Sequence, residues 1–193
     1  DTKGPNSATY WRLAIRSQLK LASWPEEAPW DGVGNGSGPA RETLRGMYVN
    51  ISKDGDWSTI SHMGLIDYHL SHQAEAFKLF TDTLPKSPSG YHAQHAAGLM
   101  ASTFIKSKSW HDLEEIARLM TKINLRGVHG KEQFLPKDIL GQALLEGGLE
   151  KYAAADYQTA ATKLDEFVRG WPQHERHDQG FYTLALAHQG NKA

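Results

Sequence analysis

The chain has no cysteine in its 193 residues. That removes a disulfide framework, a thiolate metal site and a cysteine nucleophile together, though it leaves the compartment open. Charge of one sign is also lacking, since 21 Lys and Arg stand against 22 Asp and Glu for a net charge of -1. A nucleic-acid binder would usually carry a basic excess, and a polybasic membrane anchor would as well, so neither is expected. The longest apolar runs fall far short of the roughly 18 residues that a membrane span needs, so no transmembrane segment is expected. No stretch alternates with period two between hairpin turns, so strands are not expected. The P-loop, the G-x-S-x-G elbow and the H-E-x-x-H zinc motif are all missing. The chain begins at Asp1 rather than Met, as expected of a processed chain whose signal peptide or lipid anchor would already be gone.

What is present is helical spacing almost throughout, so the fold class expected is all-α. Tyr10 to Leu21 is a first helix, with Trp11, Ala14, Ile15 and Leu19 near one face. It should stop before Pro25, because a residue preceding proline avoids helical geometry. Residues 1–24 are thus read as an N-terminal helix, and 25–56 as a connector and lead-in. Between Trp24 and Pro39 the connector holds three Pro and four Gly. Its alternating Gly32, Gly34, Gly36 and Gly38 do not fit the dinucleotide fingerprint. Two sequons, at Asn35 and Asn50, matter only in a eukaryotic secreted protein.

From Trp57 onward the chain repeats itself. When Gly64 is set against Gly148, Leu65 falls on Leu149, Tyr68 on Tyr152, Ala76 on Ala160, Phe80 on Leu164 and Pro88 on Pro172. Each position answers a demand of helix-pair packing. The glycine lets two helices approach, the alanine sits at the crossing, the large apolar residue fills the gap, and the proline closes the second helix. In the later copy Ala160, Leu164, Phe167 and Val168 share one helix face, while Lys163, Asp165, Glu166 and Arg169 take the polar side. One helix pair cannot bury such a face, but roughly three stacked pairs can.

This pattern resembles the tetratricopeptide repeat, most closely over 141–175, where Asp156-Tyr157 matches the turn and Ala160 the small residue of the second helix. The resemblance divides 57–193 into units of about 57–90, 91–123 and 141–175, with a partial unit over 176–193. It implies an α-solenoid of stacked antiparallel helix pairs, a tetratricopeptide-like right-handed superhelix. In the unit 91–123, Tyr91, Gly98, Trp110, Leu113 and Ala117 fit loosely, Leu113 standing where the small residue belongs, and no proline closes it. Residues 121–140 are longer than an inter-repeat turn should be. In the last unit Phe181, Tyr182, Leu184 and Ala185 read as a first helix, and its second helix would start where the chain stops. That is expected of a helical part of a longer polypeptide, whose last helix should self-associate or bind a partner through an apolar face.

The 10 histidines include three pairs at i, i+3: His69/His72, His92/His95 and His174/His177. On a helix that spacing puts both imidazoles on one side, but a zinc site also needs a third ligand and groups that orient them. No metal or other cofactor is therefore expected, and the histidines read as groove or surface residues. Ser17-Gln18-Leu19-Lys20 fits S-x-x-K without its partner motifs. Glu26-Glu27 and Glu114-Glu115 are adjacent, and adjacent helical residues do not face each other. No catalytic residue is assigned.

A surface remains. In the resembled family the concave face is lined by first helices and commonly holds an extended peptide or a partner helix. The inward residues implied here are Leu65, Tyr68 and His69 in one unit and Leu149, Tyr152 and Ala153 in the other. Tyr and His offer a flat apolar body with a polar tip, which suits recognition, while packing between units would use the same tyrosines. The expected function is a non-catalytic scaffold or adaptor that holds a peptide or partner protein in an assembly. The run Phe167 to Pro172, followed by a longer link to Phe181-Tyr182, resembles bacterial cell-envelope tetratricopeptide proteins, which implies a periplasmic or envelope-associated setting. The alternative is a histidine-rich helical metal-binding protein or enzyme.

Overall fold

The computed structural model describes residues 73–86 and 91–192. Six helices occupy most of this span: α1 (Gln73–Thr83), α2 (Tyr91–Ser107), α3 (Trp110–Lys122), α4 (Pro136–Ala153), α5 (Tyr157–Gly170) and α6 (His177–Gly190). A short 3-10 turn, Leu84–Lys86, follows α1. By contact the chain divides into two compact units, 1–99 with 127–133, and 100–126 with 134–193.

In the first unit, Phe80 of α1 and Leu84 of the turn after it are fully buried, as are Ala93, Ala96 and Ala97 of α2. The unit also holds most of a two-stranded hairpin, β1 (Gly127–His129) and β2 (Glu132–Phe134). This corrects the expectation that the chain has no strands. Strands of three residues are too short to show a period of two. Their turn is Gly130-Lys131, with Gly130 at φ +60° as the first central residue of a type II′ turn requires. The hairpin fills the segment that was too long for an inter-repeat turn. Its backbone comes so close to α2 that a Cβ on Gly98 would sit 2.4 Å from the carbonyl carbon of Val128. A side chain at position 98 would therefore clash with main chain that cannot yield.

In the second unit α4 lies against α3 and α5, α5 lies against α6, and α4 also touches α6. α4 starts at Pro136, where the missing N–H costs nothing, and ends at Ala153. The chain then reverses through a Schellman motif. The Asp156 N–H donates to the Lys151 carbonyl (3.0 Å), the Ala155 N–H donates to the Tyr152 carbonyl (3.0 Å), and Ala155 takes φ 60°. Lys108 and Asn124 hold the same left-handed position after α2 and α3. Asp156 then caps α5 by accepting from the Thr159 N–H at 3.2 Å.

The core of this unit is where the repeat positions meet. Leu144 and Leu145 of α4, Ala160, Leu164 and Phe167 of α5, and Leu184 and Ala187 of α6 are buried together. A Cβ on Gly148 would lie 2.6 Å from Leu164 Cγ, so the glycine is what lets α4 and α5 close. Gly180 does the same for Phe167 at the α5–α6 contact (2.8 Å to Cδ1), and Gly141 does it for the Trp171 indole (2.6 Å to Nε1). α5 ends at Gly170, two residues before Pro172.

Candidate functional site

α4 has neighbours on most of its circumference, burying Ile139, Gly141, Ala143, Leu144, Leu145, Gly147 and Gly148. One stripe stays open. Asp138 and Ala153 are exposed, and Gln142, Glu146 and Leu149 are half-buried between them. At about 100° per residue these five positions fall within one narrow arc of the helix.

At its N-terminal end the stripe opens into a cavity of about 230 Å³, lined by Asp138, Gln142, Leu145 and Glu146 of α4 and by His174, Glu175 and Arg176 of the α5–α6 link. The link is set by aromatic packing. Trp171 stacks on Phe167 (centroids 6.1 Å, 10° between planes), and His174 meets the Phe167 ring edge-on at 5.2 Å. His174 Nδ1 accepts from the Arg176 N–H at 3.1 Å. Arg176 forms an ion pair with Glu146 and donates from Nε to Gln179 Oε1 at 2.9 Å. The Trp171 indole N–H is buried against α4 and has no acceptor among the described residues.

A second concavity, about 320 Å³, lies between α3 and α5 over Leu144. Its walls are an ion-pair ladder. Glu114 Oε1 accepts from Arg118 Nη2 at 2.8 Å, and the same carboxylate pairs with Lys163. Arg118 reaches on to Glu166, at 3.0 Å from Nη1 and 2.6 Å from Nη2. Burial by itself would raise the Glu114 carboxyl. The hydrogen bonds from Lys163 and Arg118, with their charges, outweigh burial and hold it below the usual carboxylate range. The Arg118 guanidinium is held charged more firmly than usual, chiefly by Glu166, with burial opposing. Each charge in the ladder already has its counter-ion, so the ladder ties α3 to α5.

The expected binding residues divide. Leu65, Tyr68 and His69 lie outside the described residues. Leu149 and Tyr152 pack against the core of the second unit, and the Tyr152 ring contacts Tyr157 (centroids 5.6 Å). Tyr157 in turn covers Gly190 at the end of α6. Tyr152 thus serves the junction of α4, α5 and α6, whereas Leu149 and Ala153 stand on the open stripe. Asp138, Gln142 and Glu146 on the same stripe were not among the expected residues. Their i, i+4, i+8 spacing was a usable signal, but the residues that complete the cavity are far away in sequence.

Histidines are also redistributed. His174 precedes α6, and His177 begins it. The pair therefore does not share a helix face. His174 turns to Phe167, while His177 stacks on Phe181 (centroids 6.4 Å). His95 is buried in the first unit, with its ring 5.7 Å from that of His129, and its helical companion His92 has no described side chain. His69 and His72 lie outside the described residues. Among the described residues no three His, Asp or Glu side chains gather at metal-binding distance, and no helix is long and apolar enough to cross a membrane.

A third surface is apolar. Phe181 and Tyr182 of α6 are 59% and 65% exposed. No family model, no curated protein and no solved structure matches the chain.

Proposed function

We propose that the helices are the units of a tetratricopeptide-like solenoid, and that the chain is a non-catalytic scaffold holding a peptide or partner protein in an assembly. The observation that carries this reading is the open stripe of α4. A first helix packed by neighbours on its other sides presents one continuous line, Asp138, Gln142, Glu146, Leu149 and Ala153, to the outside. That line offers hydrogen-bonding groups at one end and apolar surface at the other, and the cavity beside Arg176 and His174 widens it. Such a line suits a peptide that makes polar contacts at one end and apolar contacts at the other. A place in the bacterial cell envelope rests on the resemblance of the Phe167 to Pro172 run alone.

The test is capture from the native source by the full chain, wild type against a Gln142→Arg/Ala153→Arg variant, with bound proteins identified by mass spectrometry. The expected result is a stoichiometric protein partner whose affinity the variant lowers about tenfold or more. Stoichiometric zinc, copper or iron lost on His174→Ala would overturn the scaffold reading in favour of a metal-dependent one.

A further inference from the structure

The outward side of α6 is not a random mixture of residues. Asp178, Phe181, Tyr182, Ala185, His188, Gln189 and Lys192 are all exposed. They form two interleaved tracks, Asp178/Tyr182/Ala185/Gln189/Lys192 and Asp178/Phe181/Ala185/His188/Lys192, each with alternating steps of three and four residues, which is the spacing of a helix–helix seam. The opposite side, Gly180, Thr183, Leu184 and Ala187, is buried. Lys192 continues the same helical path, since Asn191 is in the right-handed helical region and the Lys192 N–H donates to the Gln189 carbonyl at 3.1 Å.

The stripe is symmetric in a particular sense. Ala185 lies midway between Asp178 and Lys192. If a second α6 is laid antiparallel across the first at Ala185, the second copy's Lys192 falls opposite Asp178, its His188 opposite Tyr182, and its Gln189 opposite Phe181. The one small residue lies at the axis, where two helices must come closest. An acid at one end and a base at the other is complementary to its own reverse. Two large aromatic side chains, otherwise in water, are covered by the same contact.

We propose that this face of α6 is an isologous interface, and that its occupant is a second copy of this chain in antiparallel register about Ala185. The proposal rests on the scaffold reading, because it supplies the assembly with a two-fold contact separate from the α4 stripe.

The test is sedimentation equilibrium of the full chain over a wide concentration range. Wild type should form a dimer, which Phe181→Ser weakens more than about tenfold through lost apolar cover. Asp178→Lys or Lys192→Glu alone should weaken it roughly tenfold, each creating two like-charge contacts across the axis. Mixing these two variants should restore the dimer, because in the mixed pair both contacts become opposite in sign. Phe181 and Asp178 are exposed, and unchanged circular dichroism should show that the variants fold. A monomer at all concentrations, or a dimer indifferent to these changes or not restored by mixing, would overturn self-pairing. Partner capture that survives in the α6 variants but fails in Gln142→Arg/Ala153→Arg would separate this failure from failure of the scaffold reading.

Discussion

Glu114 and Ala155 show how much single residues decide. Folding lowers the Glu114 pKa through Lys163 and Arg118. Its contribution to stability is therefore complete above the ordinary carboxylate range and is lost as pH falls through the lowered value. Glu114→Gln should cost about 1 kcal/mol at neutral pH and flatten the acid limb of a stability–pH curve measured by urea unfolding. An unchanged acid limb would mean that the ladder does not contribute to stability. Ala155 closes α4 at φ 60°, a conformation that costs an L-residue with a Cβ about 1 kcal/mol or more. Ala155→Gly removes that cost while adding freedom to the unfolded chain, for a net gain of about 0.5 kcal/mol in thermal or urea unfolding. Neither residue signals its structural role in the sequence. There Glu114 is only half of an adjacent acidic pair, and its partner Lys163 stands 49 residues away. Helix ends after α2, α3 and α4 use Lys, Asn and Ala where glycine would have given the signal.

At the scale of elements, the pair α4–α5 was legible because its demands are local and repeated. Gly148 against Leu164, Ala160 in the buried contact, the Asp156 cap and Pro172 beyond the end are each a short-range signal of one packed helix pair. The hairpin was not legible, since two strands of three residues and a Gly-Lys turn carry too little pattern. The cavity beside α4 was half legible: a helical spacing marks Asp138, Gln142 and Glu146, but only packing of the link on Phe167 brings His174 and Arg176 to them. Residue type alone suits Tyr152 equally to a binding face and to the helix junction where its ring meets Tyr157. Gly148→Ala would place a Cβ 2.6 Å from Leu164 Cγ, a fully buried side chain with little room to move. It should destabilise the fold by about 1–3 kcal/mol in urea unfolding, despite the better helix propensity of alanine.

For the molecule as a whole, the near balance of charge and the missing cysteine now have physical context. Helices that pack through glycine–aromatic and glycine–leucine contacts need no cross-link, and the proposed protein-binding role needs no field of one sign. Phe167 is the clearest global anchor, because it meets Gly180, Trp171 and His174 at once. Phe167→Ala should cost about 3–5 kcal/mol and loosen α5 from α6 together with the link that walls the cavity. The central claim is that the open stripe of α4 holds a protein. Its most direct test is a photo-activated cross-linking residue placed at position 142 of the full chain in the native source, with position 169 on the exposed end of α5 as the comparison. Covalent capture of one protein from position 142 and not from 169 is the predicted result. No adduct at 142, or equal labelling from both positions, would contradict it.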